Sequence, residues 1–360
     1  MSKIKLGVIF GGMSTEHDVS IVSGSSVLKN LNKEKYEIVP IYINKNGEWY
    51  LYTKNINEME ILEIGKEPEE LEIIENPTKL LKQLDVAFPV LHGLYGEDGA
   101  IQGLFELLNI PYVGCRILGS SLCMDKVYTK IILDKANINQ VKYIYIRKFE
   151  YKNSEKSANS QYVYINENFD EEIFNIEEIC KLIIEKLGLP VFVKPSNSGS
   201  SVGINKANNL SELKDAIKYA TQFDKKILIE ESINARELEC AVIGNEIVQT
   251  SCVGEILPAE NFYSFNAKYN NSESKVEIPA NISNELSEKI RKIAEKAYKA
   301  VDAKGVSRVD FFIDKDTQEI YLNEINTMPG FTTISMYPQL WNKCGKTYTD
   351  LLDEMIFNAF

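Results

Sequence analysis

Residues 305–330 read GVSRVDFFIDKDTQEIYLNEINTMPG, two runs of β-forming residues, 308–313 and 319–325, either side of the polar stretch 314–318. A polar stretch of that length suits a hairpin turn. Side chains alternate along a strand, so Glu324 and Asn326 share a face, and a hairpin centred near Thr317 sets Asp310 opposite Glu324 on that face. Two carboxylates and an amide oxygen then converge. Such hard oxygen donors suit Mg²⁺, which takes one or two carboxylates and leaves its other positions to water and phosphate oxygens. Solvated edge acids are the plainer reading of any strand pair of this kind. Arg308, Asn326 and the Pro329-Gly330 turn weigh against it.

The rest of the chain bounds what such a site can serve. At 360 residues two or three domains are expected. Hydrophobic content of 44% and charged content of 26% are those of an ordinary globular protein. A net charge of −12 argues against a nucleic-acid or anionic-membrane partner, since no basic surplus exists to neutralise phosphates. The six cysteines (115, 123, 180, 240, 252 and 344) lack C-x-x-C spacing, so they read as buried thiols in a reducing cytosol. No apolar run approaches the ~20 residues of a membrane helix, and the N-terminus enters a strand directly, so a cytoplasmic protein is expected.

Three glycine-rich loops follow short apolar runs. Residues 5–10 form a strand closed by Gly11-Gly12, and a helix follows over 20–31, with Ser14 or Thr15 as its N-cap. Glu16 between them is a helix-dipole acid or, at the C-terminal end of a strand where open α/β sheets bind ligands, an acceptor for an ammonium group. The strand 86–91 runs into HGLYGEDGAIQG, carrying His92, Glu97 and Asp98. His17 and His92, the two histidines of the chain, both fall in such loops, which points to a shared cleft. The strand 191–194 runs into PSNSGSSVG, where backbone N–H groups, serines and Lys194 can wrap phosphates, although the G-K-[ST] of a Walker A loop is absent.

Elsewhere the pattern is coarser. Residues 36–43 form a strand, and 58–79 an acidic, weakly structured surface segment. Residues 119–138 read as one helix with Lys126 and Lys130 a turn apart, and lysines there are expected in solvent. The polar stretch 143–178 reads as an insertion with little stake in a core. The strand 226–231 ends in acids that suit adenosine, residues 237–253 form a hairpin about Gly244-Asn245, and the aromatic loop 261–269 has the make-up of an active-site lid. Helices are expected over 284–302 and 348–358.

Four blocks, GGMSTEHDVS, HGLYGEDGAIQG, KPSNSGSSVG and RVDFF with NEINTMPG, resemble in order those of the D-alanine:D-alanine ligases of the ATP-grasp superfamily, and the resemblance spans nearly the whole chain. It implies an α/β (α+β) three-domain ATP-grasp fold with a Rossmann-like N-terminal domain. The domains would be 1–115 for substrate, 116–236 as the central ATP-grasp part, and 237–360 with the metal and catalytic site. The implied reaction is ATP-dependent joining of two D-alanines through an acyl phosphate, for peptidoglycan precursors, with D-alanine:D-serine ligation of the vancomycin-resistance type as the alternative.

By matching position the resemblance gives Asp310, Glu324 and Asn326 to two Mg²⁺ or Mn²⁺ ions, and Arg308 with the Gly330 N–H to the oxyanion. Lys126, Lys194, Ser201 and the lid's Lys268 go to ATP phosphates. Glu230, Glu231 and Glu237 border the adenosine. Glu16, backed by Ser200 and Tyr269, takes the first ammonium, His92 its carboxylate side, and Ser335 and Met336 face the second substrate. A homodimer is implied. Three departures stand out. The lid reads FYSFNAKY without the usual acid, and Tyr269 stands where ester-forming relatives carry histidine. Met336 replaces a common leucine, where relatives using other acceptors carry arginine, so a methyl-bearing acceptor is expected.

Overall fold

Buried strands flanked on both faces become nearly continuous apolar runs, and IKLGVIFG is one. In the computed structural model this segment is β1 (Ile4–Gly11), parallel to β2 (Tyr36–Ile43) and β5 (Val86–Val90). The structure describes residues 2–149, 161–257, 275–332 and 334–360. Leu6, Val8 and Phe10 bury one face of β1, while Ile9 packs on the other with Leu81 and Phe105. Helix α1 (His17–Asn30) follows β1. Its N-cap is Glu16, in place of the expected Ser14 or Thr15, and no side chain caps it. Ser14 is engaged otherwise, its hydroxyl donating to the His92 carbonyl and accepting the Glu16 N–H.

The acidic segment 58–79 is more ordered than its composition suggests. After β3 (Trp49–Tyr52), β4 (Leu71–Ile73) pairs antiparallel, and α2 (Pro77–Leu81) starts with proline in the first turn and Asn76 accepting from the Lys79 N–H. The first sheet runs β4-β3-β2-β1-β5, with α3 (Ala100–Leu108) after the HGLYGEDG loop.

The expected single helix over 119–138 is two: α4 (Ile117–Met124) and α5 (Lys126–Lys135). Asp125 breaks the run with extended backbone, and its carboxylate accepts the Val127 and Tyr128 N–H groups, so α5 starts at Lys126.

The insertion reading of 143–178 is overturned. β6 (Tyr143–Phe149), β7 (Gln161–Ile165) and β8 (Glu171–Phe174) are strands of a second sheet, and α6 (Ile176–Leu187) covers it. Ile144, Ile146, Tyr162 and Tyr164 are buried there against Ile179 and Ile183. The residues that alternate with them, Tyr145, Val163 and Ile165, are buried on the opposite face with Val127 of α5, so these strands are covered on both sides. With β9 (Val191–Pro195), β10 (Asn205–Ala207), α7 (Leu210–Ala220) and β11 (Lys226–Glu231), this sheet runs β10-β9-β11-β6-β7-β8, wholly antiparallel.

A third antiparallel sheet holds β12 (Ala235–Gly244), β13 (Val248–Leu257), β14 (Lys275–Glu277), β15 (Gly305–Asp314) and β16 (Ile320–Asn326), in the order β14-β13-β12-β15-β16. Helix α8 (Asn284–Ala300) lays Ile290, Ala294 and Tyr298 on it. Helices α9 (Met336–Lys343) and α10 (Tyr348–Phe357) close the chain. Leu352 and Met355 of α10 share a core with Leu28 of α1, and Tyr36 donates to Asp353, so the chain's end packs on the first sheet. Helix α9 thereby stands between the first and third sheets. The six thiols are free; four are buried, but Cys252 is half-buried and Cys344 exposed, against the expectation for all six. Among the described residues no helix is long and apolar enough to cross a membrane.

Candidate active site

The β15–β16 hairpin pairs Asp310 with Glu324 and Arg308 with Asn326, and its bulge falls after Asp310, so the alternation holds through both pairs. On the other side of β15, Glu239 of β12 lies opposite Asp310. Directly opposed residues share a face, so Glu239, Asp310 and Glu324 form a row of carboxylates across three strands. Arg308 lies in the next row. Its Nε and Nη2 donate to the two oxygens of Asp310, each at 2.7 Å, and Nε lies 2.9 Å from Glu239. Burial opposes the charge of Arg308, but Asp310 and Glu239 outweigh it and keep the guanidinium charged. The Asn326 amide N–H donates to Asp310 at 2.9 Å, which leaves its oxygen as an acceptor beside the two acids. Carboxylate, carboxylate and amide oxygen are a fitting donor set for Mg²⁺.

Facing this row is the β9–β11 wall of the second sheet. Glu230, buried at the end of β11, lies 2.5 Å from Lys194 of β9 and 2.6 Å from Lys130 of α5. Lys130 was expected in solvent; it is 2% exposed, because α5 packs across β11, the strand that carries Glu230. Lys126, at the start of α5, donates to the Ser198 carbonyl at 2.7 Å and lies 3.8 Å from Glu324, so it spans the two walls. Glu231 accepts the Lys142 N–H, and Glu237 lies along the cleft. In the serine loop, Ser200 and Ser201 adopt left-handed backbone with φ of 47° and 61°.

At the cleft's far end the Ser200 hydroxyl donates to Glu16. The Glu16 carboxylate is pinched between two glycines: a Cβ on Gly93 would lie 2.5 Å from it, and one on Gly199 2.4 Å. His92 Nδ1–H donates to the Met328 carbonyl at 3.0 Å, its Nε2 accepts from Ser23, and burial lowers its pKa, so it is a neutral donor–acceptor relay. Glu97 was not among the expected site residues. It accepts the Gly93 and Met328 N–H groups, and burial, with Glu16 adding to it, pushes its carboxyl up to about 8. Gly330, Ser335 and Met336 complete that end, where the Ser335 hydroxyl accepts the Thr332 N–H.

Glu16, His92, Glu97, Lys126, Lys194, Glu230, Glu239, Arg308, Asp310, Glu324 and Asn326 line one cleft of about 1550 Å³, whereas Lys130 meets Glu230 outside that lining. Every expected site residue lies on its wall except Lys268 and Tyr269, which fall outside the described residues together with the lid. His17 does not share the cleft. Its Nδ1 lies 2.5 Å from the Gly12 carbonyl and its Nε2 3.2 Å from the Tyr42 hydroxyl, because α1 turns it back beneath β1 and β2. Sequence reasoning missed Lys130, Glu239 and Glu97. The E-x-E spacing of Glu237 and Glu239 on one strand face was the available signal for Glu239.

Two family models match the chain: D-ala D-ala ligase N-terminus over residues 5–115, and D-ala D-ala ligase C-terminus over residues 132–357. The chain is 51% identical to a D-alanine–D-alanine ligase of Clostridium acetobutylicum, over 98% of this chain and 97% of that protein. It is 48% identical to the one of Clostridium novyi, over 98% and 97%. Among solved structures, the VanG D-Ala:D-Ser ligase of Enterococcus faecalis matches with a TM-score of 0.81 at 36% identity, covering 100% of both chains. The D-alanine-D-alanine ligase of Coxiella burnetii matches at 0.77 and 30%, covering 100% of this chain and 94% of that one.

Proposed function

The chain belongs to the D-alanine–D-alanine ligase family, and from that premise we propose how the cleft divides the work. The protein is an ATP-dependent ligase with an ATP-grasp fold, joining two D-alanines with release of ADP and phosphate, a step of peptidoglycan synthesis. Asp310, Glu324 and Asn326 are the residues that hold divalent cations, two Mg²⁺ or Mn²⁺ in this reading. Such ions neutralise phosphate charge during phosphoryl transfer. Lys126 and Lys194, with Ser201 and Lys268, grip the phosphates, and Glu230, Glu231 and Glu237 border the nucleoside.

Glu16, held by Ser200 and backed by Tyr269, receives the ammonium of the first D-alanine, and His92 its carboxylate side. Arg308 and the Gly330 N–H stabilise the oxyanion when the second amine attacks the acyl phosphate. Ser335 and Met336 face that second substrate, and the buried thioether of Met336 suits a methyl group better than a hydroxymethyl. The observation that carries the reading is the placement of Arg308 and its carboxylate row opposite Lys126 and Lys194 across one cleft whose end holds Glu16. In the same reading the chain has three domains, 1–115, 116–236 and 237–360, and works as a cytoplasmic homodimer.

The test is phosphate release from Mg²⁺-ATP with D-alanine alone, then with D-serine or D-lactate added, the products identified by mass. D-alanyl-D-alanine from D-alanine alone, persisting against D-serine, is expected. A dominant mixed dipeptide with D-serine would reassign the acceptor, the reading that the likeness to a D-Ala:D-Ser ligase keeps open. Arg308→Met should lower kcat by about 10²- to 10³-fold, the cost of one lost oxyanion donor.

A further inference from the structure

Arg308 and Asp310 have conflicting duties. As neighbours on one strand face they form a two-pronged ion pair, and both Asp310 oxygens are engaged by the guanidinium, one of them also by Asn326. A cation on Asp310 competes for those same oxygens and repels the guanidinium at short range. With Asp310 as its sole anchor, Arg308 would loosen whenever the metal loads, just when an oxyanion donor must stay fixed. Glu239 relieves the conflict. It comes from β12, outside the hairpin, lies opposite Asp310 on the same face, is 5% exposed, and places Oε2 2.9 Å from Arg308 Nε.

We propose that Glu239 is the positioning residue that keeps Arg308 in place while Asp310 turns to the divalent cation, so that one buried arginine and one shared acid serve both duties. The proposal rests on the roles given above to Asp310 and Arg308. It also assigns Glu239 a second effect, since a third carboxylate in the row deepens the negative potential that attracts the cation. Glu239 has this position for a simple reason: β12 is the neighbour of β15 on the side away from β16, so the row that starts in the hairpin continues through it.

The experiment uses the full chain with Glu239→Gln, Glu239→Ala and Asp310→Asn. Mn²⁺ binding in the presence of ATP is followed by electron paramagnetic resonance of the free ion, beside kcat and KM. Glu239→Ala should weaken Mn²⁺ binding several-fold and lower kcat on the order of ten- to a hundred-fold, as expected for a misplaced catalytic group. At saturating Mn²⁺, KM for D-alanine and ATP should hold within about two-fold, because their own contacts with the cleft are untouched. Glu239→Gln keeps an acceptor oxygen and the side-chain volume, so it should fold as the native chain does and fall between the two. If both Glu239 variants bind Mn²⁺ and turn over like the native chain while Asp310→Asn loses Mn²⁺, the proposal is overturned and the site reading stands. Native-like Mn²⁺ binding by Asp310→Asn would instead overturn the site reading, and the proposal with it.

Discussion

Glu230 and Glu97 line the same cleft, and burial opposes the charge of both, yet they titrate in opposite directions. At Glu230, Lys130 and Lys194 outweigh burial and hold the carboxyl down to about 2. At Glu97 the strongest neighbouring charge is the Glu16 carboxylate, which adds to burial, and the N–H groups of Gly93 and Met328 offset only part of it. The nucleotide wall is thus built of opposite charges that hold one another in place, two lysines about one glutamate. The substrate wall keeps Glu97 protonated at neutral pH, which limits the negative charge beside the ammonium site. Polyphosphate needs cations that stay put, whereas a single amine is matched by a single anion.

The largest test of this contrast is Glu230→Gln. It leaves Lys130 and Lys194 beside an uncharged amide, with Lys130 2% exposed. Removing one side of a buried charge group costs about 3–5 kcal/mol, so urea unfolding should show a loss of that size. A loss below about 1 kcal/mol, the worth of an exposed pair, would mean that water screens this wall. Lys130→Met is the milder version, since it leaves Glu230 paired with Lys194. Losing one of the two ion pairs about Glu230 should cost less than stranding both lysines, on the order of 2 kcal/mol. Because Lys194 is then the sole partner of Glu230 in this trio, it is held more tightly away from the nucleotide, and KM for ATP should rise. An unchanged KM would place Lys194 outside phosphate binding.

The two walls also differ in how far they could be read from the residues. The Asp310–Glu324 pair follows from strand alternation and turn length, both local, and the bulge spares it by falling one step later. Glu16 and His92 stand out because glycines crowd them, and the two glycines that pinch the Glu16 carboxylate are among those residues. Lys130 is different. Its place on one helix face with Lys126 is local, but its burial comes from β11, nearly a hundred positions away, and from the break at Asp125 that resets the helix. Glu239 needs the order of strands in a sheet, which the E-x-E spacing suggests but does not determine. The strands β6 and β7 were hidden because they carry no alternation of apolar and polar residues: Ile144, Ile146, Tyr162 and Tyr164 are buried on one face and Tyr145, Val163 and Ile165 on the other, while β8 opens with two exposed glutamates. His17 misled because a glycine loop can shelter a structural histidine as readily as a ligand-binding one.

A pH-dependent effect sharpens the contrast from the other wall. Glu97 keeps its proton up to about pH 8 in the folded chain, against an ordinary value of 4.5. Between those values the folded state binds the extra proton, so stability falls as pH rises through the window and levels off above it. Glutamine is neutral at every pH and should remove that slope, which for one proton is at most about 1.4 kcal/mol per pH unit. Glutamine also carries one acceptor where Glu97 receives two N–H groups, so the variant should be less stable by a constant amount that does not vary with pH. Urea unfolding of the native chain and Glu97→Gln across the window separates the two effects. Converging curves as pH rises would show that Glu97 is held protonated beside Glu16. Parallel curves would mean that Glu97 is already ionised, that it adds a negative charge to the substrate wall, and that the contrast with Glu230 is one of degree.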